Sequence, residues 1–502
     1  MKKNFLTAAA LMVAGFFVAT EVAIAADVTF SGQIRTRYES NEQGQNATNT
    51  DRKFLSGEDA DDFIATRVRL NANVKVNDST SAFIQMQSAR TWGNDLDTTT
   101  TGGANSGGSG NASFTTNDGD ASVGLHQAYF TLKNFASLPI DAQVGRQEVV
   151  LDGHRLFGST GWTTGAQTHD AIRLSHKHGN HTLSYLYVLG AEDGRTTAAT
   201  SDAAANTDNN SDNGDVDVHV LHANFQGILG GNLSLYAVAN IDGCGGVQVV
   251  ANGCSGRDNN IYTFGFRQAG QLFGIDYRGE YYHQTGDATG DGVVNARTAT
   301  DSFQYALAGG STAKIDRDAY MFGVRIGKKF NNVAMKPSLT LWYDQLSGTD
   351  DKDLAGSDYG TFNTLFDTGH KFYGHMDLFL SNVNHGTQGL GLIDIALKGS
   401  IQPMPGWTVK AAMHWFKSET DPNGNDFTTG RDLVSTSENV DEDLGTEFDL
   451  AIINKYNANT TLSVGWSQFS ADRLFILQTA TETTNANVNT ANWVYVQADV
   501  KF

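Results

Sequence analysis

The chain has 502 residues, with 35 Lys and Arg against 55 Asp and Glu and a net charge of −20, a balance that excludes nucleic acid as a partner. Gly is plentiful at 54 and Pro scarce at 5, and beyond the N-terminal segment no stretch approaches the ~20 apolar residues of a spanning helix. Length alone would permit two or three soluble domains, but without long amphipathic helices or evident linkers it points to one large β structure.

Residues 1–25 are expected to be a signal peptide: Lys2 and Lys3 precede an apolar core over 5–19, and Ala23-Ile24-Ala25 forms an A-x-A cleavage site. The chain from residue 26 onward is therefore exported. The first segment after it, VTFSGQIRTRYE, places Val28, Phe30, Ile34 and Tyr38 on one face and Gln33, Arg35, Arg37 and Glu39 on the other. The next, ATRVRLNANVKVN, alternates Val68, Leu70, Ala72, Val74 and Val76 with Arg67, Arg69, Asn71, Asn73 and Lys75. Period-two alternation marks strands, and polar faces as regular as the apolar ones suit a barrel with lipid outside and water inside.

Candidate strands follow at 27–40, 62–77, 80–92, 122–134, 140–152, 168–178, 181–192, 215–227, 231–243, 258–270, 273–286, 318–331, 334–347, 387–402, 406–418, 445–457, 460–473 and 492–502. Tight turns such as NDST, KHGN and MPG alternate with long polar loops such as 93–121, 193–214, 287–317, 348–386 and 419–444. The predicted fold is all-β: an 18-stranded transmembrane antiparallel up-and-down barrel over 26–502, with short periplasmic turns and long extracellular loops. The chain's last strand alternates Val494, Val496, Ala498, Val500 and Phe502 with polar residues, and an aromatic end is characteristic of outer-membrane barrels. Much of the acidity lies in loops; 193–217 alone holds six Asp.

Parity gives the expected inner surface a different balance. Arg35, Arg37, Arg67, Arg69, Arg173 and Arg325 fall on polar faces, as do Glu39, Glu447 and Asp449. Such Arg either concentrate anions in a narrow pore or pair with the acids and brace the wall. Arg146 falls on the apolar face of DAQVGRQEVV; a bulge at Gly145 would turn it inward, and otherwise it lies at the polar interface.

Three further stretches carry chemistry. Cys244 and Cys254 flank a Gly-rich loop and are expected to form a disulfide in an oxidising compartment, with two free thiols as the alternative. Asp287, Asp291 and Asn295 in GDATGDGVVNART match calcium-loop spacing, but Thr298 stands where the acidic twelfth ligand belongs, so the set is incomplete and no cofactor beyond weak calcium is expected. Ser175 and His176 point to opposite faces of a strand and cannot form a hydrolytic pair; with no other catalytic motif, the chain is read as not an enzyme. The segment GTFNTLFDTGHKFYGHMDLFL (360–380) stands apart from its polar surroundings, with Phe362, Phe366, Phe372 and Tyr373 around His370 and Lys371. It is expected to fold against protein as a gate in the barrel mouth, offering its rings and cations to cargo, or as a hydrophobic clasp between loops.

GRQEVVLDGHRLFGSTGW (145–162) with THDAIRLSH (168–176), the 360–380 segment, and LGTEFDL (444–450) resemble stretches of the alginate-export porins. The resemblance implies a monomeric barrel in the outer membrane of a Gram-negative bacterium, in contact with its lipid. It also implies an electropositive constriction passing an anionic polysaccharide. By motif it makes Arg146, Arg155 and Arg173 the basic residues of that pore and Asp170, Glu447 and Asp449 their acidic partners. The cargo expected is an anionic saccharide or related organic anion. Two alternatives are a barrel for apolar or aromatic compounds, which calls for an aromatic inner face, and a scaffold sheathing a periplasmic partner, which calls for a wide, unplugged lumen.

Overall fold

A computed structural model describes residues 27–42, 61–92, 123–191, 216–242, 260–288, 315–350, 358–380, 386–387, 389–422, 440–479 and 490–502. Eighteen long antiparallel strands form a closed ring. In chain order they are β1 (Asp27–Asn41), β2 (Asp61–Lys75), β3 (Thr80–Thr91), β4 (Gly124–Leu132), β5 (Ile140–Gln147) and β6 (His169–His178). Next come β7 (His181–Ala191), β8 (Val216–Ile228), β9 (Gly231–Asp242), β10 (Ile261–Leu272), β11 (Ile275–Ala288) and β12 (Ile315–Lys329). The ring is completed by β13 (Ser338–Leu346), β14 (Leu392–Ile401), β15 (Trp407–Lys417), β16 (Asp443–Lys455), β17 (Thr460–Ala471) and β18 (Thr490–Lys501). A two-residue strand, Asp358–Tyr359, runs parallel to β12.

Each strand pairs with its sequence neighbours, and β1 also pairs with β18, from Gln33↔Lys501 to Asn41↔Trp493. Closure leaves no unpaired ladder edge to face hydrocarbon, the condition for sheet to cross a bilayer. All eighteen predicted strands correspond to observed ones. The largest differences are at β5, which ends at Gln147 rather than 152 because the chain there turns into the lumen, and at β14, which starts at Leu392 rather than 387.

The wall is inside-out relative to a soluble sandwich. Phe30, Leu70, Phe264, Ile326 and Leu341 are exposed outward, while Arg35, Arg67, Gln87 and His126 are buried inward. The inner face is nevertheless not polar all round, as alternation alone suggested. Leu186 and Val188 of β7, Val218 and Val220 of β8, Val238 of β9 and Tyr282 of β11 point inward and are buried. On β8 it is Asp217 and His219 that alternate outward, one residue from Val218 on either side. These inward apolar side chains form a core with Val149, Leu151, Leu156, Phe157, Phe362 and Leu365.

Those core partners belong to two connections that fold into the barrel: inner loop A (148–168, joining β5 to β6) and inner loop B, the described residues 347–350, 358–380, 386–387 and 389–391 between β13 and β14. Burying each large apolar side chain contributes about 1.5–3 kcal/mol. An apolar stretch of inner wall facing water would forgo that gain, and so it holds the loops inside.

Candidate functional site: the loop-filled lumen

The two inner loops meet along a short backbone ladder. The Gly158 N–H donates to Phe366 O at 2.8 Å, Phe366 N–H to Leu156 O at 2.9 Å, and Thr368 N–H to His154 O at 3.0 Å. The Phe157 and Phe366 rings pack 5.3 Å apart across it. A loop carried into a barrel leaves carbonyls with no strand to pair with, and these need donors.

Arginines on β1 and β2 supply them to the tip of loop A. Arg35 donates to Gly161 O (2.7 Å), Trp162 O (2.9 Å) and Thr163 O (2.9 Å). Arg67 reaches Gly161 O (3.1 Å) and Thr163 O (3.2 Å), and Gln87 of β3 donates to Gly165 O at 2.6 Å. Arg37 donates to Trp162 O (2.8 Å), pairs with Glu39 (2.6 Å) and lies 4.0 Å over the Trp162 ring. One guanidinium fork can serve several acceptors at once. Arg35, Arg37 and Arg67 are thus loop clamps, with Arg67 Nε alone among the three left without an acceptor. Arg69 donates to Gln87 (2.7 Å) and pairs with Glu148 (3.2 Å), which also meets His126 (3.0 Å).

Deeper in, Arg155 of loop A bridges both loops and the wall. Its guanidinium contacts Glu280 of β11 (3.2 Å), Asp344 of β13 (2.6 Å) and the Tyr373 hydroxyl of loop B (2.6 Å), and lies 3.7 Å over the Phe372 ring. Burial opposes its charge, but Asp344, Tyr373 and Glu280 hold it well above its usual range. Arg325 of β12 pairs with Asp344 at 3.0 Å and stacks 3.4 Å over Trp342. Arg278 and Arg267 approach Glu280 only loosely, at 3.7 and 3.9 Å.

Four guanidinium groups therefore share two carboxylates, Glu280 and Asp344. The Nε of Arg267 and the Nε and Nη2 of Arg278 have no protein acceptor. Both guanidinium groups pack over Gly153, where an added Cβ would stand 3.1 Å from Arg278 Nη1 and 3.3 Å from Arg267 Nε. Lys371 of loop B, whose side chain keeps solvent access while its ammonium lies among these arginines, adds a further cation. Partial burial, with Arg278 and Arg267 beside it, holds its ammonium below the usual lysine range. His154 is lowered by burial and by Lys371.

Loop B answers the question its aromatic sequence raises. Phe362, Phe372 and Tyr373 are fully buried against protein and offer no free ring face. His370 stacks on Trp162 at 4.1 Å and bonds Asp377 at 2.7 Å. With Arg37 within 4.0 Å and His370 stacked, Trp162 is committed to the same packing. The loop docks on β16: Glu447 accepts the His375 and Met376 backbone N–H groups at 2.6 and 2.9 Å. Gly374, at φ +84°, allows this approach, since an added Cβ would lie 2.5 Å from the Glu447 carboxylate. Asp449 accepts the Ser467 hydroxyl at 2.6 Å. Glu447 is a buried anchor of loop B, while Asp449, also buried, is bonded within the wall.

Two residues assigned to the pore by motif lie elsewhere. Arg146 and Asp170 form a two-pronged pair (2.9 and 2.8 Å) on the outer surface, with side chains 46% and 53% exposed. Asp170 alternates with buried His169 and Ala171, beside outward Ile172. No bulge intervenes, because Gly145 keeps continuous register with Tyr129 and Ala171. Its missing side chain instead lets the Ala128 carbonyl close in at φ +125°. Arg173 points inward, half-buried, and forms no hydrogen bond or ion pair with the described residues.

Parity reasoning passed over Arg267 and Arg278, although each sits one residue from an outward aromatic or glycine on an alternating strand (Phe266 and Gly279). Asp287 closes β11, its backbone N–H donating to Asn260 O at 2.8 Å. Asp291, Asn295, Cys244, Cys254 and residues 1–25 lie outside the described residues.

A family model described as alginate export matches residues 26–489. No curated protein matches the chain in sequence. Among solved structures, Pseudomonas aeruginosa OccK8 (OprE) is similar with a TM-score of 0.51 at 10% identity, over 95% of this chain and 98% of that one. Acinetobacter baumannii OccAB3 gives 0.52 at 11% identity, over 95% and 99%, and OccAB2 of the same organism 0.51 at 12%, over 96% and 99%. At such identities the likeness shows the fold alone.

Proposed function

The chain belongs to the alginate-export family as a porin-type channel of the Gram-negative outer membrane, and from that premise we propose that it passes an anionic saccharide or related organic anion through an Arg-lined constriction. The observation that carries this reading is the surplus of cation at the junction of the inner loops: Arg155, Arg267, Arg278 and Arg325, with Lys371 nearby, against Glu280 and Asp344. Fixed positive charge in a narrow, partly desolvated passage concentrates anions and repels cations. Planar guanidinium forks suit carboxylates in particular. Arg267 and Arg278, held only loosely by Glu280 and with side chains still 15% and 12% exposed, are the groups assigned to meet cargo, and Arg155 and Arg325 position them.

The proposal differs from an even lining of arginines, since Arg35, Arg37 and Arg67 are spent on loop A. The channel for apolar compounds is less favoured, because the aromatic side chains of loop B are buried in its own packing. A wide sheath is less favoured because both inner loops lie within the lumen.

The test is the reversal potential across a salt gradient in planar bilayers. Wild type is expected to prefer anions, and Arg267→Ala/Arg278→Ala to lose most of that preference. A short oligouronate added to one side should block wild-type current more than a neutral oligosaccharide of equal length. Cation preference in the wild type, or an unaltered double variant, overturns the reading.

A further inference from the structure

Between the tip of loop A and the periplasmic mouth, the inner wall carries an aromatic pair that takes no part in holding the loops. Phe83 of β3 stands opposite Tyr129 of β4, with ring centroids 5.5 Å apart. Both point inward: Phe83 shares its face of β3 with buried Gln85 and with Gln87, which donates to loop A, while Ile84 and Phe130 beside the pair are exposed outward. Phe83 lies four residues from Gln87 toward the tight turn after β2, about 13 Å along the strand at ~3.3 Å per residue. Both rings are half-buried and lie outside the apolar core that anchors the loops.

A chain of amides runs beside the pair. Gln127 donates to Gln85 Oε1 at 3.1 Å, Gln85 to Asn71 Oδ1 at 2.8 Å, and Asn71 to Ser31 Oγ at 3.0 Å. Each amide nitrogen has two N–H groups and uses one of them here. Ser31, Asn71 and Gln85 also line a hollow of about 380 Å³ together with Arg67, Arg69 and Lys501. On the other side of the pair, one inward row nearer the periplasm, stands Arg173, which has no partner among the described residues.

Aromatic faces left toward water in a polar vestibule forgo the gain of burial. A pyranose ring supplies what they lack: its axial C–H groups form an apolar, slightly positive face that suits the negative face of an aromatic ring, and its hydroxyls accept from amide N–H groups. Resting on the anionic-saccharide reading above, we propose that Phe83 and Tyr129 form a stacking platform for one pyranose unit of the cargo, on the periplasmic side of loop A. Gln127, Gln85 and Asn71 meet the hydroxyls of that unit, and Arg173 and Lys501 flank the platform with positive charge for its carboxylate. The platform is a second, looser site in series with the cation cluster, as passage through a channel requires sites that can also release.

The test is block of single-channel current in planar bilayers by a short oligouronate, added to one side at a time, for wild type and Phe83→Leu/Tyr129→Leu. Leucine keeps the wall apolar but removes the ring faces, and the heat-modifiable band of a folded barrel should be retained. From the periplasmic side, the concentration for half-block is expected to rise roughly fivefold in the variant. From the extracellular side it should change much less, and the reversal potential should stay as in wild type, because no charge has been altered. Unaltered periplasmic block in the variant overturns the platform while leaving the cation cluster standing. Equal weakening from both sides also overturns it, since only cargo arriving from the periplasm meets the platform first. A wild type that the oligouronate blocks from neither side overturns both the platform and the saccharide reading on which it rests.

Discussion

At the scale of single residues, the arginines divide by what they touch. Arg35, Arg37 and Arg67 satisfy carbonyls of loop A, and Arg155 ties two loops to two carboxylates. Arg267 and Arg278 make only loose ion pairs and keep unengaged donors, whereas Arg325 is also held by a close pair with Asp344. One acid nearby titrates in the working range: burial pushes Asp367 of loop B up to about 7, against the opposing pull of Arg155. Because its folded pKa is raised, the folded chain holds this proton more tightly than the unfolded chain. Its contribution favours the fold at low pH and is lost as pH rises from the unfolded value of about 4 to 7. Ionisation also places a negative charge beside the basic cluster. Anion preference, read as reversal potential, is therefore expected to be larger at pH 6 than at pH 8, and Asp367→Asn should flatten that difference.

At the scale of elements, the inner loops are held from three sides: by each other's backbone, by the apolar inner wall of β7–β12, and by Glu447 on β16. The last contact depends on Gly374. A side chain there meets a left-handed backbone cost of ~1–2 kcal/mol and a Cβ at 2.5 Å from the Glu447 carboxylate. Gly374→Ala is expected to lift the 374–376 turn off β16 and enlarge the lumen. Single-channel conductance should rise and become noisier, while the barrel itself stays folded; unchanged conductance would mean that this anchor does not hold the loop. The reason strand parity overstated the inner polarity lies at this scale too. Alternation tells which residues share a face, but a loop returning from elsewhere in the chain decides whether that face is wet.

At the scale of the whole molecule, a chain of net charge −20 encloses a lumen in which the junction of the inner loops carries an excess of cations. Selectivity then arises from a local field rather than from overall charge, and local fields are screened by salt. The Debye length falls from ~10 Å at 0.1 M to ~3 Å at 1 M. Anion preference is expected to weaken severalfold over that range of KCl in reversal-potential measurements. A preference independent of salt would point to direct steric sorting by the loops instead.

Strand number, strand positions and the outward apolar band were determined by the sequence itself, because a barrel wall is built from local alternation and neighbour-to-neighbour pairing. Lys371 and the burial of the 360–380 rings were legible as a segment that would not remain in water. The roles of the arginines were not, because they depend on contacts such as Arg35 with Gly161 and Arg155 with Asp344, 126 and 189 residues apart in the chain. Arg146 illustrates the same limit: a motif placed it in the pore, and a continuous strand register put it outside beside Asp170. Only the tertiary structure, by returning two loops into the lumen, decided which charges are clamps and which remain to meet an ion.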